Sequence, residues 1–109
     1  MRQHTTLDQT AKMIELGFEK PKGWYVNGVT NNIKLYVNID ENPMMFNYSI
    51  GELLSLLPDD MVADRRLEFD GFHWFVDWDS FDKIHQTVGI ELVDALYAMI
   101  VKLKEEGVI

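Results

Sequence analysis

The side chains best equipped for chemistry are imidazoles and carboxylates, because the chain has no cysteine. His73, Asp77 and Asp79 share one face of an expected strand, with Glu68 placed opposite His73 on its neighbour. Histidine beside carboxylates is a donor set for a divalent metal, and equally an acid–base pair. Positions four apart in a strand are separated by roughly 13 Å, so His73 and Asp77 share an ion only where the strand bends. A metal-dependent enzyme built on His73 and Asp77, with His85 as a further candidate, is one reading; a solvated polar sheet face is the simpler one. His85 falls in a connecting loop, where a single histidine is ordinarily solvated, and His4 in a terminal segment expected to fray. The chain has no phosphate-binding glycine loop, no HExxH and no Gly-x-Ser-x-Gly, and spacing gives Ser49, Ser55 and Ser80 no catalytic partner. The sequence therefore leans away from an enzyme and calls for no cofactor.

A second group is aromatic. Trp24, Tyr25, Tyr36, Tyr48, Phe75 and Trp78 exceed what one small core comfortably hides, and large aromatics are enriched at interfaces. Tyr36 and Phe75 fall on faces assigned to solvent, so Tyr36, Phe75, Trp78 and Trp24 are the interaction candidates, for a protein partner or a homodimer. The alternative is that these rings cover the sheet or one another.

The elements that must position these residues are legible in hydrophobic spacing. Between Thr87 and Gly107, Leu92, Leu96, Met99 and Leu103 recur at helical intervals, with Ala95 and Ile100 beside them. An apolar arc that wide predicts a helix covered on most of its circumference. Thr87 is its expected N-cap, with Phe81–Gln86 as the preceding link. Thr6–Gln9 and Ser49–Glu52 each match a capping box, the first opening a helix over about 7–16 that ends at Gly17, the second a short leucine-rich helix stopped by Pro58. Two short strands are expected around Trp24–Val26 and Ile33–Ile39, joined either by an Asn27–Gly28 turn or by a longer loop through Asn32.

The clearest hairpin is Asp64–Phe69, Asp70–Gly71, Phe72–Trp78. A two-residue turn at Asp-Gly pairs Phe69 with Phe72 and Leu67 with Trp74. Leu67, Phe69, Phe72, Trp74, Val76 and Trp78 then share the face that can line a dry core. Arg66, Glu68, His73, Phe75 and Asp77 fall on the opposite, outer face. The order α-β-β-α-β-β-α predicts a single α+β domain over 1–109, an antiparallel sheet of about four strands packed against the C-terminal helix.

Composition narrows the function classes. The chain has 109 residues, 47% hydrophobic, and a formal net charge of −8. It is large enough to hold a core without disulfides or metal. An acidic surface disfavours direct binding to a phosphate backbone; the sharper use of such charge is to mimic DNA and block a nucleic-acid-binding protein. Residues 1–8 hold no apolar run suited to secretion, and no apolar stretch approaches the ~18 residues that span a membrane. The expectation is a cytoplasmic protein.

Three segments, Thr6-Leu7 to Leu16-Gly17-Phe18, Tyr48-Ser49-Ile50-Gly51-Glu52-Leu53-Leu54 to Leu57-Pro58, and Glu91 to Ile100, occur in an order that resembles a group of small uncharacterised proteins of Bacteroides-type gut bacteria and their phages and mobile elements. The matching positions are mostly caps and core. The resemblance implies a context, a small accessory protein encoded by a phage or mobile element, and assigns no residue a role. The leading expectation is a non-enzymatic protein-interaction or accessory domain.

Overall fold

Leu92, Val93, Ala95, Leu96, Met99, Ile100 and Leu103 are all buried along one helix, Leu92–Glu105. Around it the computed structural model, which describes residues 2–27, 29–30, 32–35, 46–58, 64–79 and 83–109, arranges the other elements. In chain order these are α1 (Leu7–Glu15), β1 (Trp24–Val26), β2 (Ile33–Leu35), α2 (Ile50–Leu56), β3 (Asp64–Phe69), β4 (Trp74–Asp79), β5 (Gln86–Gly89) and α3 (Leu92–Glu105). The fold is α+β, as the hydrophobic spacing predicts. Its strands divide into two antiparallel sheets, β1-β2 and β3-β4-β5, rather than forming one sheet of four. The end of the Ile33–Ile39 strand lies outside the described residues.

Both capping boxes form. Thr6 accepts from the Gln9 amide while the Gln9 side chain accepts from the Thr6 amide, and Ser49 and Glu52 do the same at α2. At the end of α1, Gly17 takes a left-handed φ of 99°. That lets Phe18 N–H reach Met13 O and Gly17 N–H reach Ile14 O, satisfying two terminal carbonyls and turning Phe18 back onto the core.

The N-terminal segment does not fray. His4 bridges Ser49, Thr5 N–H donates to Tyr48 O at 2.9 Å, and Ile50 N–H donates to Gln3 O at 3.0 Å. Arg2 reaches the start of α3, where its guanidinium pairs with Asp94 and its amide donates to Glu91 Oε2. Tyr48 is buried and donates its hydroxyl to Glu19 O at 2.6 Å. Desolvation first, then the charges of Glu52 and Glu19, push its phenol up to about 12.

The segment expected to link hairpin and helix contains a strand. Gln86–Gly89 pairs with β4 in the register Trp74↔Gly89 and Val76↔Thr87. Thr87 is consequently not the N-cap of α3; Glu91 holds that position without a side-chain cap bond. The Thr87 hydroxyl instead donates to Ala95 O at 2.7 Å, tying strand to helix. Gly89 makes the close return possible, since a Cβ there would meet Ala95 N and Glu91 O at 3.0 Å.

α3 packs against α2 on one side and against β4 and β5 on the other. Val76, Trp78, Met13, Leu53, Leu57 and Tyr48 join its buried face in one cluster. β3, the remaining strand of that sheet, lies beyond it.

Candidate functional site

The second hairpin carries most of the sequence candidates, and its register decides where they point. Phe69 pairs with Trp74, Leu67 with Val76 and Arg65 with Trp78. The turn is therefore four residues long, Asp70–His73, not the two-residue Asp-Gly turn. Asp70 explains the difference: its carboxylate accepts from the amides of Phe72 and His73 at 2.8 and 2.6 Å, closing a wider loop. Those backbone hydrogen bonds, His73 first, hold the Asp70 carboxyl below the usual carboxylate range. The shift is by two positions, so each residue that stays in the ladder keeps its expected face, while Phe72 and His73 move into the turn.

It does remove His73 from the sheet. His73 is exposed in the turn, and Glu68 faces Phe75 across the ladder instead. Asp77 is in the middle strand, with a side chain only 8% exposed. Its Oδ2 takes both Nε and Nη2 of Arg66, at 2.9 and 2.6 Å, and its Oδ1 is buried without a hydrogen-bond partner.

His85 is not a solvated loop histidine: it is 1% exposed. Its Nδ1 lies 3.0 Å from Trp78 O and its Nε2 2.8 Å from Glu106 Oε2, while Asp79 Oδ1 accepts from its backbone amide. Both ring nitrogens face acceptors, so the ring bridges the end of β4 to the end of α3. Lys83 donates to the other oxygen of Glu106 at 2.6 Å. That hydrogen bond, ahead of the Lys83 and His85 charges, holds the Glu106 carboxyl below the usual range.

The three metal candidates thus have separate tasks: His73 in a turn, Asp77 in an ion pair across the strands, His85 in a bridge to α3. Among the described residues no group of three or more His, Asp or Glu side chains could hold a metal ion. Of three clefts formed by described residues, against Tyr97 and Val101, between Ile14 and Ile33, and between Glu19 and Tyr48, none is lined by His73, Asp77 or His85.

The aromatic candidates are also redistributed. Trp24 and Trp78 are buried, at 7% and 8% exposure, and each indole N–H donates to a carbonyl, Phe46 O and Pro58 O respectively. These two belong to the interior, which removes them as interaction residues. Phe75 is half-buried on the outer face between Glu68 and Val88. Tyr36 lies outside the described residues.

Part of the exposed apolar surface is instead on the face assigned to the core and in the turn beside it. Phe72 is 78%, Phe69 51% and Leu67 40% exposed, with Trp74 half-buried beside them. The Phe69 and Trp74 rings lie 5.0 Å apart, centroid to centroid, with Leu67 two places along the same face and Phe72 in the adjoining turn. A helix is about 10–12 Å across and strands are ~4.8 Å apart, so one helix covers about two strands. α3 covers β4 and β5, and β3 is left over. The signal was present in Asp64-Arg65-Arg66-Leu67-Glu68-Phe69, where two apolar residues among four charges mark an edge strand.

Among the described residues no helix is long and apolar enough to cross a membrane. Compared with protein-family models, with curated proteins and with solved structures, the chain matches none.

Proposed function

We propose that this chain is a small non-enzymatic interaction domain whose working surface is the apolar strip of the β3–β4 hairpin. The observation that carries this reading is the joint exposure of Leu67 and Phe69 beside Trp74, on the part of that sheet face that α3 leaves open, with exposed Phe72 in the adjoining turn. Contiguous exposed apolar side chains rimmed by charge are the usual mark of a protein contact. Arg65, Arg66, Glu68 and Asp70 supply the rim, all exposed. The sequence resemblance adds the context of an accessory protein of a phage or mobile element, acting in the cytoplasm.

Replacing Phe72 with a photo-crosslinking benzoylphenylalanine tests the reading in cells. A discrete protein adduct at position 72, absent when the same group replaces exposed Tyr25, is the expected result. No adduct above the Tyr25 background overturns it.

A further inference from the structure

The three-stranded sheet ends on its other side at β5, and this edge is open in both side chains and backbone. Residues 84, 86, 88 and 90 are exposed while 85, 87 and 89 are buried or half-buried, so strand alternation runs past Gln86–Gly89 at both ends. Ile84, Val88 and Ile90 are 77%, 49% and 74% exposed. Phe75 faces Val88 across the ladder, on the sheet face away from α3, since Val76 and Trp78 take the buried one.

Trp78 N–H donates to His85 O at 2.9 Å, and the register continues through Val76↔Thr87 to Trp74↔Gly89. Bonded and non-bonded pairs alternate in an antiparallel ladder. Positions 85, 87 and 89 therefore turn their backbone groups to β4, and Gln86 and Val88 aim their N–H and C=O groups away from it. Among the described residues no strand pairs with that side of β5. The two edges of the sheet differ in protection. β3 carries four charged side chains in six residues, a usual guard against strand addition, whereas β5 carries no charge and no proline.

Charge indicates what kind of strand fits. The Asp79 carboxylate accepts from the His85 amide, and the Glu91 carboxylate, next after Ile90, accepts from the Arg2 amide. Among the described residues neither has a basic side chain against it. Lys83, the nearest cation in sequence, is held by Glu106 at 2.6 Å. The chain as a whole has a net charge of −8, so a second copy would bring the same surplus to the seam.

We infer that β5 takes up an extended segment of a different, basic protein as a fourth strand of this sheet. Its alternate side chains are aliphatic, beside Ile84, Val88 and Ile90, and a lysine or arginine stands at each end, near Asp79 and Glu91. Backbone bonds to Gln86 and Val88 supply attachment, and the alternate side chains supply selectivity. A helix in this place would leave those outward N–H and C=O groups unpaired. The row from 84 to 90 is about 20 Å long, which sets the occupant at about seven residues. This surface is separate from the apolar strip of the β3–β4 hairpin and does not depend on it.

The probe is a fluorescein-labelled synthetic peptide of alternating valine and threonine with lysines at both ends, compared with the same peptide ended by glutamates. Fluorescence anisotropy reads binding. Expected is saturable binding of the lysine-ended peptide, weakened at least about tenfold for the glutamate-ended peptide and for Val88→Pro. That substitution removes an N–H that faces the peptide and none that faces β4, a place where an edge strand tolerates proline. Leu67→Lys, on the opposite edge, should bind as the wild type does. Should Val88→Pro lose its circular dichroism, Val88→Lys serves, since a lysine there guards the edge and repels a basic strand.

No saturable binding of the lysine-ended peptide overturns the inference. So does equal binding of the glutamate-ended peptide, equal binding by a folded Val88 variant, or loss of binding in folded Leu67→Lys. A wild-type dimer in light scattering that Val88→Pro splits would make a second copy the occupant, and overturns it too. An adduct at Phe72, found or not, bears only on the hairpin strip.

Discussion

β3 and β4 are equal in length, paired residue for residue, and part of the same hairpin, yet they meet opposite fates. β4 carries three consecutive buried residues, Val76, Asp77 and Trp78, while Arg65 to Phe69 of β3 are all exposed. Composition alone does not separate them, because each strand puts large apolar side chains on the same face. Position does: β4 is central, flanked by strands on both sides and roofed by α3, and β3 is one strand spacing too far out. A single helix over a three-stranded sheet leaves such a remainder. Here the remainder carries exposed Leu67 and Phe69 among charged side chains.

The comparison breaks most visibly by truncation in β4. Trp78→Ala removes a buried ring and its hydrogen bond to Pro58 O, and should cost about 3–5 kcal/mol in urea unfolding. Leu96→Ala tests the roof itself, at about 2–5 kcal/mol; a loss under about 1 kcal/mol would mean α3 does not cover this sheet. A smaller effect is expected at the cap of α2, where Ser49→Ala should cost about 0.5–2 kcal/mol because it leaves the Glu52 amide without its acceptor.

Acid tests the bridge from the end of β4 to α3. The folded state holds the Glu106 carboxyl below its ordinary range, so it favours the carboxylate. That contribution is fully present above the unfolded-state titration and is lost as pH falls through the folded one. Glu106→Gln should flatten the acid limb of melting temperature against pH relative to wild type. Lys83→Met, which removes the largest cause of the shift, should also flatten that limb, because the folded carboxyl then titrates closer to its unfolded range. The smallest effect belongs to β3: Phe69→Ser should change the stability of the isolated chain by no more than about 0.5 kcal/mol. A loss of several kcal/mol would mean that Phe69 is packed where the structure leaves it open.

What was legible in the sequence follows the same division. Periodicity gave α3 its buried face, because a helix covered on most sides needs an apolar arc wider than its polar stripe. Both capping boxes were readable from four residues apiece, since their bonds are local. Faces of the residues that pair were also right, as a two-residue shift preserves parity, but Phe72 and His73, expected in the strand, lie in the turn. The turn length was not, because Asp70 can close either a two-residue or a four-residue loop and nothing local decides between them. β5 was missed because Gln86–Gly89 offers one large apolar residue, Val88, and is held as a strand by β4 rather than by its own pattern.

The burial of His85, Trp24 and Trp78 had no local signal. It depends on Glu106, Phe46 and Pro58, each about twenty residues away. The exposure of Leu67 and Phe69 turned on the number of strands one helix can span, a property of the assembled layers.

The place of α3 in the chain has a consequence for synthesis. Chains emerge from the ribosome at about 5–20 residues per second, and α3 is made after every element it covers. Met13, Leu53, Leu57 and Val76 thus wait without their main partner while the intervening residues are translated. The Arg2 pairing with Asp94 and Glu91 spans about ninety positions and forms only at that late stage. A chain halted before Leu92 lacks the helix on which its other core residues pack, and α1 and α2 are too short to hold their helical form alone. The buried cluster that includes α3 can close only once α3 has been translated.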